Sequence, residues 1–284
     1  MTPEANLDTI AKDIERGMAE ERARTAPPPG FPKLPPIPGE RYTDPGFQTL
    51  EHEQLWKRSW VYACHADEVP EPGSFMLWRN LGSPILIIRG RDDKVRAFYN
   101  TCRHRGGPLV KEDAGKRNTF VCGYHGWTYD PTGKLIGIRD ERDFPDFDAE
   151  CLGLISVRCE TFGNWIFLNL DDDAEPLLDY LGPIADEWAQ YEPDKIKLAD
   201  KRTYDINCNV KVLLDAFLEV YHLKSIHQRT VDRFLDHAGT TITLWPKGHS
   251  RMSTPNRRPD WVDPGTVGHG KGLAHRGHDR HAHE

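Results

Sequence analysis

From Trp60 to Leu170 the chain alternates short apolar runs, rich in Val, Ile, Phe, Tyr and Trp, with tight polar breaks. The runs are WVYACHA, SFMLWR, SPILIIR, KVRAFYN, NTFVC, GWTYD, KLIGI, LISVRCE and NWIFLNL, and breaks such as EPG, RDD, DPTG and FGN separate them. Short β-rich runs bounded by Gly, Pro, Asp and Asn predict an antiparallel all-β domain over roughly 42–170. Ahead of it, residues 5–24 have helical composition, and APPPGFPKLPPIPGE (26–40) carries seven Pro, which predicts an extended connector. After LDDDAEP the pattern changes to helical segments near 176–190 and 209–223 and a strand-like TITLW at 241–245. A second, α+β domain is therefore expected from residue 171. From about Pro255 the text is polar and irregular, and GHGKGLAHRGHDRHAHE (268–284) is expected to be a disordered, solvated tail.

Composition narrows the class. With 284 residues, 38% hydrophobic and 29% charged, the chain reads as a soluble globular protein. No run of apolar residues is long enough for a membrane span. The first twenty-five residues lack the apolar core of a secretory signal, and the six Cys show no disulfide framework, so a reducing cytoplasm is expected. A net charge of -7 and a pI near 6.0 argue against nucleic acid as a partner.

Two pairs of soft ligands stand inside the β-rich region. Cys102 and His104 form a CxH pair, Cys122 and His125 form a CxxH pair, and seventeen residues lie between them. Such a set suits either tetrahedral zinc or an iron–sulfur cluster in which two His replace two Cys on one iron. Zinc pairs usually leave two to four residues between ligands, whereas only Arg103 separates the first pair. Neighbouring metals are the better match, with Cys102 and Cys122 on one iron and His104 and His125 on the other. Gly106, Gly107, Gly123 and Gly126 let backbone approach closely, and Arg103 and Arg105 add positive charge. The remaining cysteines, Cys64, Cys151, Cys159 and Cys208, are expected to be packing residues.

A second cluster lies in NCNVKVLLDAFLEVYHLKSIHQRT (207–230). Projected on a helix, its apolar residues cover most of the circumference and leave a thin strip of Lys211, Asp215, Glu219 and His222. That pattern predicts a buried helix with the strip facing an interior cavity; the plainer reading is a wet polar face with a Lys211–Asp215 pair. His227 lies about 140° from His222 on an ideal helix, so the two could share a metal only if the helix ends or bends between them.

Both constellations, in this order, resemble the Rieske non-haem iron oxygenases, the aromatic ring-hydroxylating dioxygenase large (α) subunits. CRHRGG and CGYHGWTYD resemble the Rieske motif, and Asp215-x3-Glu219-x2-His222-x4-His227 resembles the mononuclear iron motif; the likeness covers roughly 40–258. It implies an α+β protein: an N-terminal connector (1–41), a Rieske domain (42–170), a helix-grip-like catalytic domain (171–258) that reads as incomplete, and an irregular His-rich tail (259–284). It implies a [2Fe-2S] Rieske cluster on Cys102, His104, Cys122 and His125, and mononuclear Fe(II) on His222 and His227. Glu219 would bridge His125 of one subunit and His222 of the next, with Asp215 beside the iron. Glu at the bridge departs from the commoner Asp and is shared with members acting on quaternary ammonium compounds.

The resemblance further implies a terminal oxygenase that hydroxylates a small organic substrate, aromatic by default, with dioxygen. Electrons would come from a separate NAD(P)H-dependent reductase, with or without a ferredoxin. A homotrimer is expected, with or without a small β subunit. The family's third iron ligand, a carboxylate over a hundred residues downstream, has no counterpart here, because the sequence continues for 57 residues past His227. An electron-transfer protein lacking mononuclear iron, and a zinc-stabilised binding module, are the competing readings.

Overall fold

A computed structural model describes residues 7–144 and 148–257. All nine apolar runs form strands: β1 (Val61–His65), β2 (Ser74–Trp78), β3 (Ile85–Arg89), β4 (Val95–Tyr99), β6 (Phe120–Val121), β7 (Thr128–Tyr129), β8 (Leu135–Gly137), β9 (Ser156–Phe162) and β10 (Trp165–Asn169), with β5 (Ala114–Lys116) added between β4 and β6. The sequence pattern misses β5, whose Ala-Gly-Lys has no apolar alternation. It forms by pairing its backbone with β2, through Phe75↔Gly115 and Met76↔Ala114.

Seven strands make one antiparallel sheet in the order β1-β10-β9-β4-β3-β2-β5, and β6-β7-β8 make a small second sheet. Phe75, Leu77, Leu86, Ile88 and Phe98 join one core, while Met76, Trp78, Ile85, Ile87 and Ala97 join another. Both faces of β2 and β3 are covered, which explains their unbroken apolar text. The small sheet closes the first core with Phe120, Tyr129 and Leu135; the curl of the large sheet closes the second with Ala63, Cys64, Ile166 and Leu168. Each such side chain contributes about 1.5–3 kcal/mol by leaving water. The loops carrying both ligand pairs leave the first core, so its packing fixes their positions.

Helix α1 (Leu7–Ala23) matches the helical composition at 5–24. Helices α2 (Glu40–Thr43) and α3 (Pro45–Glu51) were not expected. Asp44 caps α3 by accepting from Phe47 N, and Pro45 opens it, a local signal readable in Asp-Pro-Gly. The helical stretch at 176–190 divides into α4 (Leu177–Leu181) and α5 (Pro183–Ala189) at Gly182, whose φ of +51° ends the first and whose neighbour Pro183 starts the second.

The chain divides into two compact units, one built mainly on 32–214 and the other on 12–31 and 215–243. In the second, Arg22 Nε donates to Asp236 Oδ2 at 3.0 Å. β11 (Thr241–Leu244), at the TITLW run, pairs with β12 (Ser250–Ser253). The single helix expected at 209–223 is instead α6 (Val210–Phe217), a break, and α7 (Leu223–Ile226). Nor is α6 buried: Val212 is 48% and Phe217 73% exposed. A helix apolar nearly all round needs cover on every side, and the described residues do not provide it. Among them, no helix is long and apolar enough to cross a membrane. The His-rich tail lies outside the described residues.

Candidate metal centres

The two ligand loops are built alike. Cys102 N donates to Gly107 O at 2.8 Å and Gly106 N donates back to Cys102 O at 3.0 Å; Cys122 N donates to Trp127 O at 2.8 Å and Gly126 N to Cys122 O at 2.9 Å. Gly106 and Gly126 turn the two loops with φ of +73° and +76°, a conformation that penalises any residue with a Cβ. The repeated turn brings the pairs together. His104 and His125 meet edge to face, with ring centroids 4.5 Å apart, and His104 stacks flat on Trp127 at 4.8 Å.

Cys102 and Cys122 are buried in the first core. Nδ1 of His104 and Nδ1 of His125 are buried without a hydrogen-bond partner. A buried polar atom left unpaired is costly, and two of them, on rings in contact and on the same two loops as two buried thiols, suit ligands to a metal cluster. Burial pushes the Cys102 thiol up, and a metal cation beside it would favour the thiolate. Burial, then the charges of His104, Arg105 and Arg139, holds His125 below the usual imidazole range, leaving its nitrogen free to ligate. Among the described residues no group of three or more His, Cys, Asp or Glu is arranged around one ion.

Two supporting residues escaped the sequence reading. Tyr129 Oη lies 3.4 Å from Cys102 Sγ and accepts from Arg103 N at 3.1 Å. Asn100, buried, accepts from Leu109 N and Val110 N and donates to Val110 O at 2.8 Å, closing the segment after the first pair. A lone Asn ending an apolar strand was the available signal. Of the other cysteines, Cys64 is buried and Cys159 half-buried in the sheet, as expected, but Cys151 and Cys208 are exposed. Cys151 sits in a short turn with its thiol on Asp148, and Cys208 precedes α6, so neither reaches a core.

At the second centre α6 ends at Phe217, so the break falls ahead of both His residues and not between them, where the 140° separation had required it. His222 caps the N-terminus of α7 and His227 its C-terminus, with ring centroids 5.4 Å apart, close enough to share one ion. The Glu219 carboxylate accepts from His222 N at 3.2 Å and from Tyr221 N, and pairs with His222 Nδ1. This leaves His222 Nε2 for a metal. His227 Nδ1 faces Thr230 Oγ1 at 3.4 Å. Asp215 is on the exposed α6. Lys211, which the plainer reading pairs with Asp215, binds Glu51 at 2.7 Å and lies over the Tyr42 and Phe47 rings. Asp232 and Asp236, the acids that follow His227 in the described residues, are both engaged. Asp232 accepts from Arg257 at 2.7 Å, and Asp236 accepts from Arg22 and Ala238 N.

The Rieske [2Fe-2S] domain profile matches residues 59–148, and that of the ring hydroxylating alpha subunit (catalytic domain) matches 193–282. The chain belongs to the Rieske oxygenase family. Its fold is the family's, a β-rich Rieske domain followed by a mixed catalytic domain, and these domains carry a [2Fe-2S] cluster and mononuclear iron. The carnitine monooxygenase oxygenase subunit of Escherichia coli (strain K12) is 31% identical over 67% of this chain and 52% of its own. The biphenyl 2,3-dioxygenase subunit alpha of Rhodococcus jostii (strain RHA1) is 33% identical over 64% of this chain and 41% of its own. A crystal structure of a quaternary ammonium Rieske monooxygenase with L-carnitine superposes with a TM-score of 0.68, at 28% identity, over 79% of this chain and 67% of that one. This Rieske oxygenase chain spans about half the length of the curated relatives it matches.

Proposed function

We propose that the chain is the oxygenase component of a system that hydroxylates a small quaternary ammonium compound, using electrons delivered by a separate NAD(P)H-dependent reductase. The observation that carries the oxygenase reading is the pair of buried, unpartnered Nδ1 atoms on His104 and His125 beside the thiols of Cys102 and Cys122. In this reading Cys102 and Cys122 hold one iron of the cluster and His104 and His125 the other, while His222 and His227 hold the mononuclear iron. When bound, these groups supply single electrons and the place where dioxygen is reduced. Hydroxylation consumes two electrons and two protons per dioxygen, placing one oxygen atom in the product and one in water.

The chain's residues have separable tasks. Trp127 holds the His104 ring flat, and Tyr129 polarises Cys102. Glu219 holds the proton on His222 Nδ1, so that Nε2 presents its lone pair. Its carboxylate, 42% exposed as a side chain, remains open to a second imidazole, His125 of another copy, which implies a ring of subunits; a homotrimer is the smallest. Asp215 would then stand beside the iron. Residues 42–170 are assigned to the Rieske domain and 171–258 to part of the catalytic domain.

The substrate class rests on the likeness to the carnitine enzyme and on Glu219 at the bridge. The likeness to a biphenyl dioxygenase subunit favours a second reading, an aromatic substrate. The test is a single turnover: protein reduced chemically, mixed with dioxygen and either L-carnitine or biphenyl, and the product identified by mass spectrometry. Hydroxylated carnitine product supports the first reading, hydroxylated biphenyl the second. Cluster oxidation with neither substrate altered leaves an electron-transfer protein as the answer.

A further inference from the structure

Strands β4 and β9 stay together for a short distance. They pair at Phe98↔Ser156 and Ala97↔Val157, whereas β3–β4 and β9–β10 each run over five residue pairs. Beyond Ala97↔Val157 a cavity of about 530 Å³ opens, lined by Val95 and the turn ahead of β4 on one strand and by Cys159, Glu160 and Thr161 on the other. That volume suits a small organic molecule, and no proposed metal ligand lines it.

The charges in its wall are unequal. Gly90 N donates to Lys94 O at 2.8 Å and Asp93 N to Gly90 O at 3.1 Å, closing the turn between β3 and β4. Arg89 braces that turn, donating through Nη1 to Asp93 O at 2.9 Å and through Nε to Val69 O at 2.6 Å. Both acceptors are neutral carbonyls, so the guanidinium charge is left without a carboxylate. The Lys94 ammonium likewise enters no ion pair among the described residues. The acids nearby are answered elsewhere: Glu160 accepts from Arg158 at 3.0 Å and from Leu177 N at 2.9 Å, and Asp92 accepts from Arg96 at 2.7 and 2.8 Å. Of the acids lining the cavity, this leaves exposed Asp93 against two uncompensated cations. Ala66, Val95, Ile166 and Leu178 give the rest of the wall an apolar character.

We propose that this cavity binds a small organic carboxylate with an apolar body, its carboxylate held by Arg89 and Lys94 and its body against Val95, Ile166 and Leu178. Charge-assisted hydrogen bonds to a carboxylate are the strong ones, and a guanidinium suits its two oxygens. With Nε and Nη1 engaged, Nη2 is the Arg89 nitrogen left for that contact. An inorganic anion would answer the cations but leave the apolar wall wet. A neutral ring would cover the wall but leave two partly desolvated charges unpaired, which costs free energy.

The experiment uses the cluster-loaded full chain with benzoate as the probe, inorganic phosphate as the charge-only control and benzyl alcohol as the ring-only control. Calorimetric titration should show a single benzoate site per chain with a Kd of about 1 mM or tighter, and neither control should bind in that range. Cys159 lines the cavity, whereas Cys64 is fully buried in the second core. Saturating benzoate should therefore slow alkylation of Cys159 by iodoacetamide at pH 9 several-fold, read by peptide mass spectrometry, and leave Cys64 unchanged. Because Arg89 also braces two loops, Lys94 and Thr161, both exposed, carry the mutational test. Lys94→Gln should weaken binding about tenfold and Lys94→Arg should restore it; Thr161→Trp, which fills the space, should abolish it, and all three should keep the cluster's visible absorbance. Absence of saturable benzoate binding overturns the proposal, as does binding that Lys94→Gln and Thr161→Trp leave intact, or unchanged Cys159 reactivity at saturation. Phosphate or benzyl alcohol binding as tightly as benzoate overturns it too, because the site would then read charge or ring alone.

Discussion

Tyr129 sets its hydroxyl 3.4 Å from Cys102 Sγ while accepting a hydrogen bond from Arg103 N. With its oxygen occupied by that N–H, its proton is directed at the sulfur, where it stabilises negative charge. A reduced cluster carries one more negative charge, so the bond is stronger in the reduced state and raises the potential. Tyr129→Phe should lower the cluster's potential by about 50 mV, the equivalent of roughly 1 kcal/mol for one electron. A spectroscopic redox titration measures it. An unchanged potential would mean that the hydroxyl serves only the loop.

Two metal centres on separate residues predict separable losses. Cys102→Ser should remove the visible absorbance and the acid-labile sulfide. His222→Ala should keep both and lose mononuclear iron alone, since the His222 ring is held by Glu219 and faces His227, neither of them a cluster ligand. Iron and sulfide analysis on protein purified without oxygen decides this. Bleaching of the cluster in His222→Ala would show that the two sites are not independent.

Much of this was legible in the sequence because the signals are local. Apolar runs between turns mark strands, and ligand spacing marks a cluster. What was not legible depends on partners distant in sequence. β5 exists because β2 offers it a free edge. Tyr129, twenty-six residues after Arg103, reaches Cys102 only because β7 crosses the first core. The misread helix at 209–223 has a physical cause too: apolar periodicity reports the demand for burial, not whether a cover is present, and it continues through the break after Phe217. The spacing of His222 and His227 already required an interruption; the structure puts it ahead of both.

The turn between β7 and β8 should be intolerant of a methyl group. Asp130 accepts from Thr132 N, Thr132 Oγ1 and Lys134 N, and Gly133 follows with φ of +84°. A Cβ at Gly133 would stand 2.4 Å from Phe98 Cε1, in the core beneath the cluster loops. Left-handed strain and overpacking each cost about 1–3 kcal/mol, so Gly133→Ala should lose about 2–4 kcal/mol. Urea unfolding of the loaded protein is the check, and a loss below about 1 kcal/mol would contradict the packing described.

Cys64 and Cys159 should be nearly inert to alkylation at neutral pH. Burial, reinforced by Glu68 for Cys64 and by Glu160 for Cys159, pushes both thiols up to about 12. Because the thiolate is the reactive form, their rate should climb with pH towards 12 without a plateau near the ordinary thiol value. Ellman's reagent on cluster-loaded Cys151→Ser/Cys208→Ser protein reads these two sites. A plateau near pH 9 would place them in a far wetter setting.

Glu219 supplies the sharpest test of the proposed route between centres. Its carboxylate grips His222 Nδ1 and two backbone N–H groups, and the His222 contact, ahead of the backbone bonds, holds it below the usual carboxylate range. Glu219→Gln keeps the shape but gives up the charge and replaces one acceptor with a donor. Iron and sulfide content should stay as in the wild type, because His222 and His227 keep their ligating nitrogens. Reoxidation of the chemically reduced cluster by dioxygen with substrate should slow by about 10–100-fold, the usual effect of losing a ligand's hydrogen-bond partner. The pH dependence has a definite sign. A lowered carboxyl remains ionised down through about pH 4.5, so the wild-type to Gln ratio should be constant from pH 8 to 5 and shrink only below that, as protonation makes the native residue resemble its amide. A ratio of one throughout, with both metals in place, would remove Glu219 from the electron path; a ratio that falls between pH 7 and 6 would assign the dependence to an imidazole instead.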